Sequence, residues 1–519
     1  ASYQMGRHGP YVDEECKSDW SYTCYMPSIP SGTAAQPTVI AGVVDDGTTC
    51  PTGASPELWG SGRAERVITL SGSKHVTLSC LTITDRNSCI EASAFPKKSQ
   101  ICNREAPYSA ATADKGLYIE DADKIELRDL TIEGLGKGIN AGRLGDITLL
   151  RTHLHANYSA GWDGDIGPEG SSNTGTIRFI DSSITFNGCG LEYAPGTNHH
   201  RQPTACAKQS LGGYGDGLGT AATGGNWIFD NTLVMYNNSD GIDLLYHENG
   251  GHISVKNSRI EGNGGNQVKL SGNSELVNNI IIGNCGWNSR QDFNLGGNGE
   301  NCRALGSALS LHYVKGTDST VLLNNTIVSE GDCLLITGSR AGLEATQQRL
   351  YIVNNIFYAA ADFLQPDEYS CLHYPDANYA YTQAHNNIIH RVKKFGDPCY
   401  LFNSNVPENA NANSGQCSTT DDFIFEAEEL RKNTDPRFKS LDLGIVHSAY
   451  DIKTLGSEAN SVHIKAGSPA IDAGYRAMVG NLPVPTTDYL GRPRGDRPDI
   501  GALESTSKRR NKPLVSATQ

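Results

Sequence analysis

No run of about 18 apolar residues occurs in this chain of 519 residues, so no helix long enough to span a membrane is encoded. Basic charge is also scarce. There are 43 Lys and Arg against 57 Asp and Glu, a net charge of −14. That excludes a general nucleic-acid binder, which needs a basic footprint. It also makes an anionic substrate awkward unless a metal ion or a local basic patch intervenes. None of the 14 cysteines forms a C-x-x-C pair, which removes zinc ribbons and thioredoxin-like redox sites. No P-loop, G-x-S-x-G, H-E-x-x-H or G-x-G-x-x-G stands in a supporting context. No signal peptide is visible, and residue 1 is expected to follow a processed or deleted leader.

Cysteine, glycine and turn residues are plentiful, with 57 Gly and 22 Pro. Several cysteines sit at loop-like spacings: Cys16 and Cys24, Cys89 and Cys102, Cys189 and Cys206, Cys285 and Cys302. Local disulfides in a secreted, extracellular protein are the simplest account. Three N-x-[ST] sequons, at Asn157, Asn237 and Asn324, agree with an extracytosolic glycoprotein.

The organising feature is an internal repeat. Its pattern is apolar, gap, apolar, gap, Asn or Asp, then an aliphatic residue three later. It reads Ile125-x-Leu127-x-Asp129-x-x-Ile132, and returns from Ile177 with Asp181, from Trp227 with Asn231 and from Ile253 with Asn257. Val321-x-Leu323-x-Asn325 and Tyr351-x-Val353-x-Asn355 continue it, and Val76–Ile83, Ile147–Leu154 and Glu275–Ile282 are weaker copies. Alternation of period two means strands. The Asx position predicts either a stacked side-chain ladder or a left-handed backbone turn. Repeats of 20–30 residues with short strands indicate a solenoid of β coils. Leucine-rich repeats lack support without their Leu consensus and helix, and propeller blades need about 40 residues. The fold expected is therefore all-β, a right-handed parallel β-helix. Longer gaps, such as Asp181 to Asn231, imply loops thrown out between coils.

The ends differ from the middle. Residues 1–65 read as an N-terminal cap, 66–360 as the β-helix core carrying the site, and 361–504 as further coils with an irregular closing segment. Residues 505–519 read as a disordered tail. Asp421 to Lys432 is the one stretch that reads as a surface helix.

Chemistry concentrates between Gly215 and Gly272. Asp243 lies 12 residues after the anchor Asn231, and Lys269 lies 12 after Asn257. They share one phase of the coil, one rung and about 5 Å apart. Asp240 precedes Asp243 by three, as Asn266 precedes Lys269, and Asp216 precedes Asn231 by 15. Asp216, Asp240, Asp243 and Lys269 are thus expected on one face over three rungs. Any single Asp at a β-helix turn can be there for backbone reasons, so the joint spacing carries the argument. Three carboxylates beside a lysine make an acidic pocket suited to a hard cation with oxygen ligands.

The order Gly215-Asp216-Gly217, then Asn238-Ser239-Asp240-Gly241-x-Asp243, then Lys269-Leu270-Ser271-Gly272 resembles polysaccharide lyase family 9, the β-helical pectate lyases. The likeness covers about 60 residues well. It implies calcium bound by Asp216, Asp240 and Asp243, with Lys269 as the Brønsted base. One position departs from the pattern: Ser239 stands where the family has a second Asp. The implied reaction is β-elimination from a uronic-acid polymer. A cation neutralises the C6 carboxylate, a base removes the weakly acidic C5 proton, and the product is a 4,5-unsaturated uronide. Lysine serves as that base only when neutral.

Other residues read as possible substrate contacts. Arg201 and Lys208, near His199 and His200, form a local basic cluster able to meet uronate carboxylates, and Arg290 and His247 are further contacts of this kind. Gly161-Trp162-Asp163-Gly164-Asp165 offers two carboxylates, with a third at Glu169, and an aromatic that could stack on a sugar. A glycan at Asn237 would obstruct the site. The partner expected is an acidic polysaccharide, with the chain acting as a monomer and with neither nucleic acid nor membrane involved. Rival readings are a glycoside hydrolase or a uronan epimerase on the same fold, and a non-catalytic carbohydrate-binding or adhesive β-helix.

Overall fold

In the computed structural model the described residues are 2–4, 24–43, 55–60, 64–85, 113–166, 173–193, 201–206, 215–284, 306–331, 333–339, 348–360, 370–373, 381–392, 424–428, 431–432, 434–443 and 461–506. They contain no helix. Three long sheets hold nearly all the strands. Sheet I has 12 strands, from Thr38–Ala41 to Ile424–Glu428. Sheet II has 13, from Ser2–Gln4 to Arg431–Lys432, and sheet III has 11, from Cys24–Tyr25 to Cys371–His373. Successive strands visit I, II and III in turn, and each pairs in parallel with its counterparts one coil before and after. This is the right-handed parallel β-helix expected.

The interior is built of aligned columns. Ile125, Ile147, Ile177, Trp227 and Ile253 stack in register in sheet I, as do Leu127, Leu149, Phe179, Phe229 and Val255. Phe179 and Phe229 stack at 5.0 Å between ring centroids, and Trp162 meets Trp227 edge-on at 5.9 Å. Each such buried side chain contributes roughly 1.5–3 kcal/mol of apolar burial.

Two corners are made by one device. A left-handed residue turns the chain, and the next residue stacks on its neighbours. At the corner from I to II the left-handed residues include Asp129, Arg151, Asp181, Asn231, Asn257, Asn278, Asn324, Asn354 and Asn386, with φ between 48° and 60°. The residues that follow them form a buried ladder. Asn279 Nδ2 donates to Asn325 Oδ1 at 3.0 Å, Asn325 to Asn355 at 3.0 Å, and Asn355 to Asn387 at 3.2 Å. At the corner from II to III, Asn157, Asn187, Asn237 and Asn263 do the same at 2.8–3.0 Å. Both expectations for the Asx position are therefore met, by adjacent residues.

The register of the later repeats needs correction by one residue. The equivalent of Asn257 is Asn278, and then Asn324 and Asn354, because Val255 aligns with Leu276, then Leu322 and Ile352. Asn279, Asn325 and Asn355 belong to the ladder instead. The expected helix at 421–432 is also corrected. Ile424–Glu428 is a strand in register with Tyr381–His385, and Arg431–Lys432 pairs with Ile388–Ile389. An open sheet edge outweighs the modest helical preference of a Glu-rich stretch.

Among the described residues from 277 to 388, much of the outer face of sheets I and II is buried too. Ile280, Ile282, Val328, Ile356 and Ile388 of sheet II pack against Phe438, Val462, Ile464, Ile471, Ile500 and Leu503 of the closing segment. Val321, Tyr351 and Val353 of sheet I pack against Val479. The left-handed asparagines fasten this segment: Asn278, Asn324, Asn354 and Asn386 donate to the carbonyls of Thr487, Asp499, Tyr475 and Ala473.

Candidate active site on sheet III

Sheet III places the predicted residues in two adjacent columns. Asp243 is in register with Lys269, and Gly219 stands one rung before Asp243. Three residues upstream on each rung, Asp240 receives the chain from Asp216: its backbone N–H donates to Asp216 Oδ1 at 2.9 Å. Each Asp-Gly pair has a division of labour. The Asp takes its place in the cluster. The Gly packs on the asparagine ladder, where a Cβ at Gly217 would lie 2.7 Å from Asn237 Nδ2 and one at Gly241 would lie 2.5 Å from the Gln267 carbonyl. The D-G spacing is thus a consequence of the corner geometry as well as of the site.

The four side chains meet. Lys269 Nζ donates to Asp243 Oδ2 at 2.8 Å and to Asp240 Oδ2 at 3.4 Å. Asp240 is fully buried, and its Oδ1 accepts from Asn266 N at 2.6 Å and Asn266 Nδ2 at 3.0 Å. Asp243 Oδ1 accepts from Leu245 N at 3.0 Å. Ser239, at the departure from the lyase pattern, is hydrogen-bonded to Asp216. Burial, followed by the charges of Asp240 and Asp243, pushes the Asp216 carboxyl well above the usual carboxylate range. Burial and Asp240 push Asp243 up as well, against the pull of Lys269. Asp240 and Asp243 share the Lys269 ammonium, while Asp216 is held by Ser239 and the Asp240 backbone N–H.

Such a donor set fits a hard, oxygen-seeking cation in its chemistry. Gly219 leaves room beside it, since a Cβ there would stand 2.9 Å from Asp216 Oδ2. Among the described residues no three acidic, imidazole or thiol groups already converge as a metal cage. Lys269 is the cation between Asp240 and Asp243. A divalent ion here would have to draw Asp216, Asp240 and Asp243 closer together and displace Lys269 from between the last two.

The weaker predictions fare differently. His247 is buried, with Nε2 2.9 Å from the Gly225 carbonyl oxygen and Nδ1 3.3 Å from that of Ser271. It ties the corner after Asp243 and is corrected from substrate contact to structural residue. Trp162 is a core residue, 1% exposed, and offers no face to a sugar. Asp163 does lie on the site face, two rungs before Asp243 in the same column, paired with Lys137. Arg201 opens the strand Arg201–Cys206, which forms an antiparallel hairpin with Cys189–Tyr193 and sets Cys189 opposite Cys206. The side chain of Arg201, and all of Lys208, His199, His200, Glu169 and Arg290, lie outside the described residues. The sequons are corrected too. Asn157, Asn237 and Asn324 are each 0% exposed, with their amides in the ladders or on the closing segment. In the folded chain none of the three can accept a glycan, and Asn237 leaves the site unobstructed.

Sequence reasoning missed Asn266, Gly219, Ser310 and His312. Asn266 was visible as a phase mark three before Lys269. Ser310 and His312 follow a stretch, 285–305, whose length hides their register.

No family model matches the chain, and no curated protein matches it in sequence. Among solved structures it is similar to the pectate lyase Pel9A, at 14% identity over 93% of this chain and 85% of that one, with a TM-score of 0.37. It is also similar to the Dettilon tailspike protein, at 11% identity over 61% of this chain and 57% of that one, with a TM-score of 0.29. Likenesses this loose carry no argument about chemistry, which rests on the site itself.

Proposed function

We propose that the chain is a secreted polysaccharide lyase that cleaves a uronic-acid polymer by calcium-assisted β-elimination, with Lys269 as the base. The observation that supports this reading is the contact of Lys269 Nζ with Asp243 and Asp240, in a cluster holding two more carboxylates than ammonium groups. A divalent cation, when bound, supplies the charge that neutralises the substrate carboxylate and the enolate-like charge developing beside it. Asp240 and Asp243 hold the lysine as an ammonium. Once their charge is taken up elsewhere, the ammonium loses those partners and the neutral amine is favoured. The neutral amine takes the C5 proton, the C5–H pair becomes the C4–C5 double bond, and the C4–O bond breaks. Water protonates the departing oxygen.

The test is a panel of uronans, with polygalacturonate first, followed by ultraviolet absorbance of the unsaturated product with calcium or with chelator. Calcium-dependent absorbance should appear, and Lys269→Ala should lose roughly 10²–10⁴-fold in rate, the usual contribution of a positioned base. New reducing ends without absorbance would instead identify a hydrolase.

A further inference from the structure

Beyond Lys269 the next rung of sheet III carries a second polar pair. Lys269 is in register with Ser310, and Ser271 with His312. On this strand Leu309 and Leu311 point into the core. By alternation Ser310 and His312 point the other way, to the face that carries Lys269. The hydroxyl of Ser310 is 3.0 Å from His312 Nε2. The other ring nitrogen lies over Gly338, where a Cβ would stand 3.0 Å from Nδ1. His312 is in register with Gly338, so the ring is held between a hydroxyl and a bare backbone.

We propose that Ser310 and His312 form a subsite that hydrogen-bonds the hydroxyls of the sugar unit next to the one attacked at Lys269. The proposal rests on the polysaccharide reading above. Its chemistry follows from the pair. Burial, and then the charge of Lys269, lowers the His312 pKa, so the imidazole is neutral near pH 7. A neutral imidazole and a hydroxyl offer both a donor and an acceptor without net charge. That suits a sugar hydroxyl, whereas a uronate carboxylate calls for a cation. The distance also suits. One rung is about 4.8 Å and two residues along a strand about 7 Å, a diagonal that brings a neighbouring pyranose within reach. Gly338 accommodates the ring where a side chain would displace it.

The experiment measures binding and turnover separately. Uronan oligomers of increasing length are titrated calorimetrically into Lys269→Ala, and into Lys269→Ala carrying His312→Ala, His312→Asn or Ser310→Ala. The same three changes are made in the active chain to separate KM from kcat. His312→Ala should weaken binding and raise KM about 5–10-fold, the worth of a hydrogen bond or two. The loss should appear only for oligomers long enough to reach the second unit. His312→Asn, which keeps a donor and an acceptor, should recover part of it. Equal affinity at every length in His312→Ala, with thermal stability intact, would overturn the subsite. A wild-type chain that binds oligomers without forming unsaturated product would sink the lyase reading instead, and the binding series would still judge the subsite.

Discussion

At the scale of single residues, the site owes as much to what is small as to what is charged. Gly241 lies where a Cβ would come 2.5 Å from the Gln267 carbonyl and 2.6 Å from Asn263 Nδ2. Gly241→Ala should therefore cost about 2–4 kcal/mol, measured by urea denaturation, since backbone must move to admit one methyl group. A cost below 0.5 kcal/mol would mean that the ladder is slack there. Glu275 shows how charge is handled on the outside of sheet I. Burial alone would raise its pKa. Hydrogen bonds from His252, Lys256 and Ser254 outweigh it and hold the carboxyl at about 2. Lys256 Nζ is 2.6 Å away and Ser254 Oγ 2.8 Å. The folded pKa is depressed, so the stabilisation is present above the ordinary value near 4.5 and is lost as pH falls toward 2. Lys256 and His252 are more than a third exposed, so solvent screening trims the value to about 1–2 kcal/mol. Glu275→Gln should lose that much at pH 7 and progressively less as the pH falls through about 2, the folded pKa. A gap independent of pH would show that packing, and not charge, is what Glu275 supplies.

At the scale of the element, the corner ladders join the rungs. Asn237 accepts from Asn187 N at 3.0 Å and Asn187 Nδ2 at 2.9 Å, and donates to the Ile184 carbonyl at 3.0 Å. Asn237→Ala strands these buried groups and should cost roughly 2–4 kcal/mol by thermal or chemical unfolding. Mass spectrometry of chain made in a glycosylating host should find Asn157, Asn237 and Asn324 bare; a glycan on any folded molecule would contradict their burial. These elements also show what a sequence can disclose. The strands that lead into Asp129, Asp181 and Asn231 alternate cleanly, because one face of each meets the core and the other meets water, and Ile253–Lys256 keeps the alternation in polarity although Ser254 is covered. Their register was readable, and with it the shared phase of Asp243 and Lys269. In Val321–Ser329 both faces are buried by the closing segment, alternation disappears, and the Asn324-Asn325 doublet allows a slip of one residue. Nothing local marked that cover. The stretch 421–432 failed for a related reason: its partner residues lie 43 upstream, as Tyr381 does from Ile424, and helical preference is all that a window can see. His247 was misread because proximity in sequence to Asp243 says nothing about which way a corner residue turns.

At the scale of the whole molecule, the chain closes on itself. Arg494, 2% exposed at its side chain, donates to Asn278 Oδ1 at 2.9 Å, to the Gly501 carbonyl at 2.9 Å and to Glu504 Oε2 at 3.1 Å. Arg494→Ala would leave the part-buried Glu504 without its cation and the carbonyl of Gly501 without its donor, and should cost about 2–4 kcal/mol. Limited proteolysis should then cut within 461–506 sooner than in the parent; equal cleavage would mean the segment is held by its apolar contacts alone. Among the described residues from Ser79 onward, each corner from sheet I to sheet II is two residues long, at 80–81, 129–130, 151–152, 181–182, 231–232, 257–258, 278–279, 324–325, 354–355 and 386–387. The spans from II to III range from 134–136 to 186–217, and those from III to I also vary. Length can therefore change only along the two borders of sheet III. A lineage that trims or extends its loops keeps one edge constant as a spine. It varies only the banks of the strip where Asp216, Asp243 and Lys269 lie, so new specificities could arise there without a new fold.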